Sequence, residues 1–378
     1  MAITGQWKRR RIVINADAYI SGATSNVPVL VKFNSTSHPD LFSTGDDKDS
    51  VWFSTDASGQ TTLYHEGVVF DATNAIFYVK VDLSSTADTV IYFWYGTPSI
   101  TGTESKTNVW TNAKYIGHFV TDANDSSASA NNGSVTNATL TSDSNYIGGK
   151  CYAFDGNGDY ITLPTGLIET ETELTIIASI QVDDNIEDAG RLFHYGTWGS
   201  DDGYTIAVKN NTTNASINNV LWDTSPIIAY STTFNFDTPT LISGIVKSGE
   251  INKAGINTTI WSSENIWTGS FIADGVTLIG IHSDLSVLEF KGKIGFVWVF
   301  SDAKSTDFVK AVYNNVQNYS TFITIDGAVA IGSSPIQVYP VWAAAAQEDY
   351  VRSVSASLGL TATVEVAGDF SIPKYWGI

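Results

Sequence analysis

Short apolar runs, each ending at a cluster of turn-forming residues, fill the first 112 positions. VPVLVKF (27–33), SVWFST (50–55), AIFYVKVDL (75–83) and TVIYFWYG (89–96) predict strands, punctuated by Asp46-Asp47, Ser58-Gly59 and Asp88. A polar stretch, 121–145, follows; its composition suits either a linker or long surface loops opening a second domain. Strand periods then return. TIIASIQV (175–182) sets Ile176, Ala178, Ile180 and Val182 on one face, and FKGKIGFVWVF (290–300) sets Phe290, Ile294, Phe296, Trp298 and Phe300 on one face. SDAKSTDFVKAVYNN predicts a short helix with Ser305 near its N-cap and Phe308, Val309, Val312 and Tyr313 as the buried stripe. From about Ile323 the character changes. Residues 343–359 suit a helix, and the last stretch, TATVEVAGDFSIPKYWGI, alternates like a strand. Three segments result: 1–112, 113–322 and 323–378. The third is small for a core of its own and is expected to dock on a neighbour.

CYAFDGNGDYITLP (151–164) tests the difference between a metal loop and a turn. Asp155, Asn157 and Asp159 alternate as in a helix–loop–helix calcium loop, but the sixth position is Tyr160 and the twelfth Gly166, where that loop needs Gly and Glu. The flanks alternate with a strand period, which predicts strand, Gly-rich turn, strand.

Composition agrees with strands. Of 378 residues, 43% are hydrophobic, 12% aromatic and 16% charged, with Ser, Thr, Asn and Gly throughout. The expected class is all-β: two β-sandwich domains with a small C-terminal α+β appendage. A formal charge of −19 and a pI near 4.4 disfavour nucleic acid and anionic lipid as partners. The basic block Lys8, Arg9, Arg10, Arg11 reads as the start of a strand continued by Ile12 and Ile14. Cys151 is the single cysteine, so no intramolecular disulfide forms. No apolar run approaches the ~20 residues of a membrane helix. If Met1 is the natural start, the N-terminus lacks a signal peptide's apolar region and the expected route excludes ordinary export.

Two resemblances follow from these phrases. Trp7 with Arg9–Arg11, Pro28-Val-Leu-Val-Lys32, DSVWFSTDASGQTTLYHEG, YVKVDL and IYFWYGTPSITG resemble a β-rich domain of unknown function found in bacterial and archaeal surface proteins and in phage genomes. Tyr95-Gly96 sits where that family closes a strand. His65 stands before Glu66 where the family has a hydrophobic or aromatic residue. Across roughly 113–320, YIGHFVTDANDSSASANNGSVTNA, FDGNGDYITLP and GKIGFVWVFSDAKSTDFVKAVYNN resemble the opening, first sheet phrase and closing strand with helix of a concanavalin A-like, laminin-G-like jelly roll.

The jelly-roll resemblance implies chemistry to look for. Sugar-cleaving members carry an E-x-D-x-x-E arrangement that supplies paired carboxylates. Here Glu66 and Glu289 are the nearest candidates, and neither has its second carboxylate in place. The histidines 38, 65, 118, 194 and 282 lack metal-ligand spacing, and no Gly-x-Ser-x-Gly is present. The expectation is therefore no enzyme and no cofactor, with calcium the one ion to consider. The resemblance makes Asp122, Asp125, Asp201 and Asp202 candidate calcium ligands. Tyr195, Trp198, Tyr204 and Trp222 are candidate sugar-stacking aromatics beside them. Against both stands a plain reading as core aromatics and solvated turns.

The functional expectation is a structural protein of a bacteriophage particle, a capsid decoration protein or head or tail appendage. It would stand on the virion exterior after synthesis in the host cytoplasm. Its partners would be other virion proteins, held through the C-terminal segment, and cell-surface or mucus glycans. A homo-oligomer such as a trimer is expected, with no nucleic acid and no membrane span. The alternative is a secreted or cell-surface carbohydrate-binding adhesin module of a bacterium or archaeon.

Overall fold

The computed structural model describes residues 7–96, 104–186, 188–196, 203–221, 226–271 and 275–331. Their strands form four antiparallel sheets, and the side chains shared between neighbouring sheets set them in successive layers. The first sheet orders Ile323–Ile325, Trp7–Ile14, Thr89–Tyr95, Trp52–Ser54 and Thr62–Leu63, with Val329–Ile331 also pairing on Trp7–Ile14. The second has three strands, Thr24–Asn34, Asn74–Leu83 and His65–Phe70. The third runs Thr139–Ser142, Lys150–Asp155, Lys291–Phe300, Glu173–Val182, Thr240–Lys247, Glu250–Ile256 and Thr259–Trp267, with Ala113–Gly117 beside Lys291–Phe300. The fourth runs Ile227–Phe234, Ala215–Leu221, Tyr204–Asn210, Gly190–Tyr195, Thr277–Ile279, Tyr160–Leu163 and Ser134–Thr136. The all-β expectation therefore holds.

Continuous apolar runs mark strands buried on both faces. In Asn74–Leu83, Phe77 faces the first sheet, meeting Phe53 and Phe93, while Tyr78 faces the third, meeting Trp298 at 5.3 Å between centroids. The second sheet is thus a shared wall, and the two sandwiches join in one continuous apolar core. A helix, Thr306–Gln317, covers Thr24–Asn34 on the same side. Its Ser305 cap accepts a hydrogen bond from Phe308 N, and Phe308, Val309 and Val312 are buried as the pattern predicts, with Tyr313 half-buried.

The predicted single face of 290–300 is corrected. Ser179 pairs with Phe296 and Ile180 with Ile294, so Gly295 is an extra residue, a β-bulge. The bulge reverses the side-chain parity. Ile294, Val297 and Val299 enter the jelly-roll core, whereas Phe296, Trp298 and Phe300 enter the core shared with the first sandwich.

One open alternative closes and one boundary moves. Residues 121–145 take the surface-loop alternative and carry the strands Ser134–Thr136 and Thr139–Ser142. The boundary at 323 falls inside the first sandwich, because Ile323–Ile325 and Val329–Ile331 flank the N-terminal strand. The predicted helix at 343–359 and the final strand lie outside the described residues. The basic block is strand, as expected. Arg10 is buried against Asp40 and the Tyr95 hydroxyl, and Arg9 lies over Tyr92 and Trp94.

Candidate functional site

FDGNGDYITLP turns a corner. Lys150–Asp155 belongs to the third sheet and Tyr160–Leu163 to the fourth, so the turn carries the chain between the jelly roll's two layers. Gly156 and Gly158 supply the left-handed positions at φ 75° and 77°. Asp159 accepts from Asp155 N at 2.7 Å, and Glu289 from Gly158 N at 3.0 Å. Glu289 is thereby a turn anchor. An open cleft of about 530 Å³ adjoins the turn, lined by Asp155, Asp159, Asp183, Lys291 and Lys293. Burial lifts the Asp159 carboxyl above its usual range; burial, then Asp237, lifts Asp183.

A second cleft, of about 420 Å³, opens where the two sandwiches meet. Its floor is built by strand alternation. His65 points into the first sandwich beside Phe53 and Phe77, so Glu66 points the other way, toward the jelly roll. There it is 4% exposed. Glu66 Oε2 accepts from Trp110 Nε1 at 2.5 Å and lies 3.0 Å from His118 Nε2. Burial pushes the Glu66 carboxyl upward, but His118, Ser126 and Trp110 outweigh it and hold it below the usual carboxylate range. The His118 ring stacks on Tyr78 at 5.2 Å and 13°. Lys48, Glu104, Lys106, Thr121, Asp122 and Asn124 stand around the opening.

The predicted site residues fare unevenly. Tyr195 and Tyr204 have no exposed surface and pack in the jelly-roll core, so neither can stack on a sugar. Trp198, Trp222, Asp201 and Asp202 lie outside the described residues. Asp125 is 4% exposed and spends its carboxylate on its own loop and on the strand Ala113–Gly117, accepting from Ile116 N, Ser127 N, Ser127 Oγ and Asn131 N. Asp122 is exposed at the cleft rim and accepts from Asn124 N and Nδ2. Among the described residues, no three His, Cys, Asp or Glu side chains converge as a metal ion requires. Glu66 and Glu289 each have their own partners rather than one another. The reading from sequence missed Trp110, His118 and Ser126, which come together only when the sandwiches dock; the one signal was a lone Glu inside an apolar strand.

No family model matches this sequence, nor does any curated protein. Solved structures show a partial likeness. Domain 4 of an extracellular arabinanase from Geobacillus stearothermophilus, solved with arabinotriose, is 16% identical with a TM-score of 0.41, over 53% of this chain and 98% of that one. The binding domain of Paraclostridial Mosquitocidal Protein 1 is 15% identical with a TM-score of 0.42, over 56% and 53%. Tailspike protein 2 of an Escherichia coli O157:H7 bacteriophage is 15% identical with a TM-score of 0.40, over 48% and 26%. At such identities and scores the likeness assigns this chain neither a family nor a function.

Proposed function

We propose that this chain is a non-enzymatic structural protein of a bacteriophage particle, standing on its exterior and presenting a lectin-like jelly roll to host-surface or mucus glycans. The observation that carries this reading is the polarity of the stack. The last described strand, Val329–Ile331, lies on the first sheet, three layers away from the outer sheet of the jelly roll. The first sheet and the outer sheet of the jelly roll are thus the two outermost layers of the described residues. That arrangement suits an anchor at one end and display at the other. The shared wall between the sandwiches suits a rigid spacer. Copies repeated on a particle would give weak glycan contacts high avidity.

The test is direct. Antibody raised against the purified chain should label intact virions produced from the same genome, and the chain should appear among their protein bands. Virions that lack both the label and the band would end the proposal.

A further inference from the structure

Two Asn-Gly pairs occur in the chain, Asn132-Gly133 and Asn157-Gly158. Such a pair can lose the asparagine amide without an enzyme, because a glycine has no Cβ to keep its backbone nitrogen from closing on the side chain before it. Closure needs a side chain free to swing and a glycine nitrogen free to shed its proton. Both asparagines are exposed, yet the fold treats them differently. Asn132 is held at both points: its Oδ1 accepts from Asp125 N at 2.9 Å, and Gly133 N donates to Ala123 O at 2.9 Å. Asn157 makes no side-chain hydrogen bond among the described residues and lines the open cleft beside the turn. Its restraint is a single bond, from Gly158 N to Glu289 Oε2 at 3.0 Å.

We propose that Asn157 is a latent deamidation site and that Glu289 holds it shut. In the reaction, Gly158 N gives its proton to solvent and attacks Asn157 Cγ. A C–N bond forms, the Cγ–Nδ2 bond breaks, and ammonia leaves from a five-membered imide. Water then opens the ring at either carbonyl, giving aspartate or isoaspartate. One water is taken up and one ammonia released, so no oxidant or cofactor is needed. The imide nitrogen carries no hydrogen, so closure must break the bond to Glu289 completely. That bond runs to a carboxyl group on a residue 9% exposed, where little water competes for it. Conversion would add a carboxylate to a cleft already lined by Asp155, Asp159 and Asp183 against Lys291 and Lys293, and so change the charge that the cleft presents.

The rest of the turn does not depend on Glu289. Asp159 accepts from Asp155 N at 2.7 Å, Asp155 from Asn157 N at 2.8 Å, and Asn137 Nδ2 donates to Gly158 O at 3.0 Å. Removing the Glu289 carboxyl therefore frees Gly158 N and leaves these bonds in place.

The test is incubation of the intact chain in mildly alkaline buffer, with aspartate and isoaspartate at both positions followed by peptide mapping and mass spectrometry. In wild type both pairs should keep their amides for a period in which the same chain, unfolded in urea, converts at both. Glu289→Ala should speed conversion of Asn157 about tenfold or more while Asn132, the internal reporter of an intact jelly roll, stays unchanged. Should Glu289→Ala unfold, so that both pairs convert together, Glu289→Gln is read instead; it keeps an acceptor oxygen without the charge and should speed Asn157 alone, by less. Wild-type Asn157 converting as fast as in the unfolded chain overturns the proposal. So does a folded Glu289→Ala chain, or failing that a Glu289→Gln chain, in which Asn157 converts no faster than in wild type.

Discussion

Asn315 does for Leu30 what a neighbouring strand would do: its Oδ1 accepts from Leu30 N at 2.5 Å and its Nδ2 donates to Leu30 O at 3.0 Å. Tyr319 repeats the service two strand residues on, accepting from Lys32 N at 2.7 Å. Asn315, within Thr306–Gln317, and Tyr319, which opens the short helix Tyr319–Phe322, thus meet alternate residues of a strand edge, which would otherwise present unpaired backbone to solvent or to another chain. Replacing Asn315 with Ala should leave two buried backbone groups unpaired and cost about 2–4 kcal/mol in urea unfolding. It should also raise the chain's tendency to aggregate, measured by light scattering. An unchanged midpoint would show that water replaces the amide at no cost.

The bulge at Gly295 makes a second prediction. A Cβ there would come within 2.1 Å of the Tyr146 ring. Gly295→Ala should therefore destabilise the chain by about 1–3 kcal/mol. The double variant Gly295→Ala with Tyr146→Ala should recover part of the loss. A double variant whose cost equals the sum of the two single variants would contradict a steric origin.

Glu66 joins the sandwiches through Trp110 and His118. Truncation to Ala leaves a buried indole N–H and an imidazole without their acceptor and should cost about 3–5 kcal/mol. Glu66→Gln should cost less, because the amide oxygen still accepts from Trp110. Both effects are read from chemical denaturation at neutral pH, and equal losses for the two variants would argue against this hydrogen-bonded role.

Acid should weaken the fold in stages. Burial lowers the His65 pKa to about 4, and its Nε2 lies 3.1 Å from Lys48 O. The folded value is below the unfolded one, near 6.5, so the unfolded state takes the proton first. His65 then contributes full stability above about pH 6.5, lost between there and about pH 4, on the order of 3 kcal/mol in total. His65→Gln should reduce the slope of that part of the stability profile without abolishing it, because burial also lowers the pKa of His194, to about 3, and those of His38 and His282. Glu66, whose carboxyl is held below its ordinary value, contributes above that value, and its share is lost only as the pH falls further, through the folded pKa. A wild-type profile flat from pH 6.5 to 4 would contradict the His65 assignment.

Much of the fold is legible from residue pattern. The strand runs, the Ser305 cap and the corner at 155–159 all stand where periodicity and turn chemistry place them. Parity was not legible through Gly295, because a bulge adds one residue without changing the apolar character on either side. Burial on both faces hides the same information: Ile176 and Ile177 point oppositely, yet neither is exposed. The aromatic candidates illustrate the limit. Tyr195 and Tyr204 sit near an acidic, Gly-rich loop in sequence, which suggests a surface, but each ends or begins a strand whose side chains fill the jelly roll. The junction site was invisible for a different reason: Glu66 and His118 are 52 residues apart and meet only through docking.

The reversal at Gly295 has a consequence for inheritance. Lys291–Phe300 answers to two sets of neighbours at once, so a crossover that exchanged either module for a foreign one would strip the other of a wall. The two modules are therefore expected to pass between genomes as a pair.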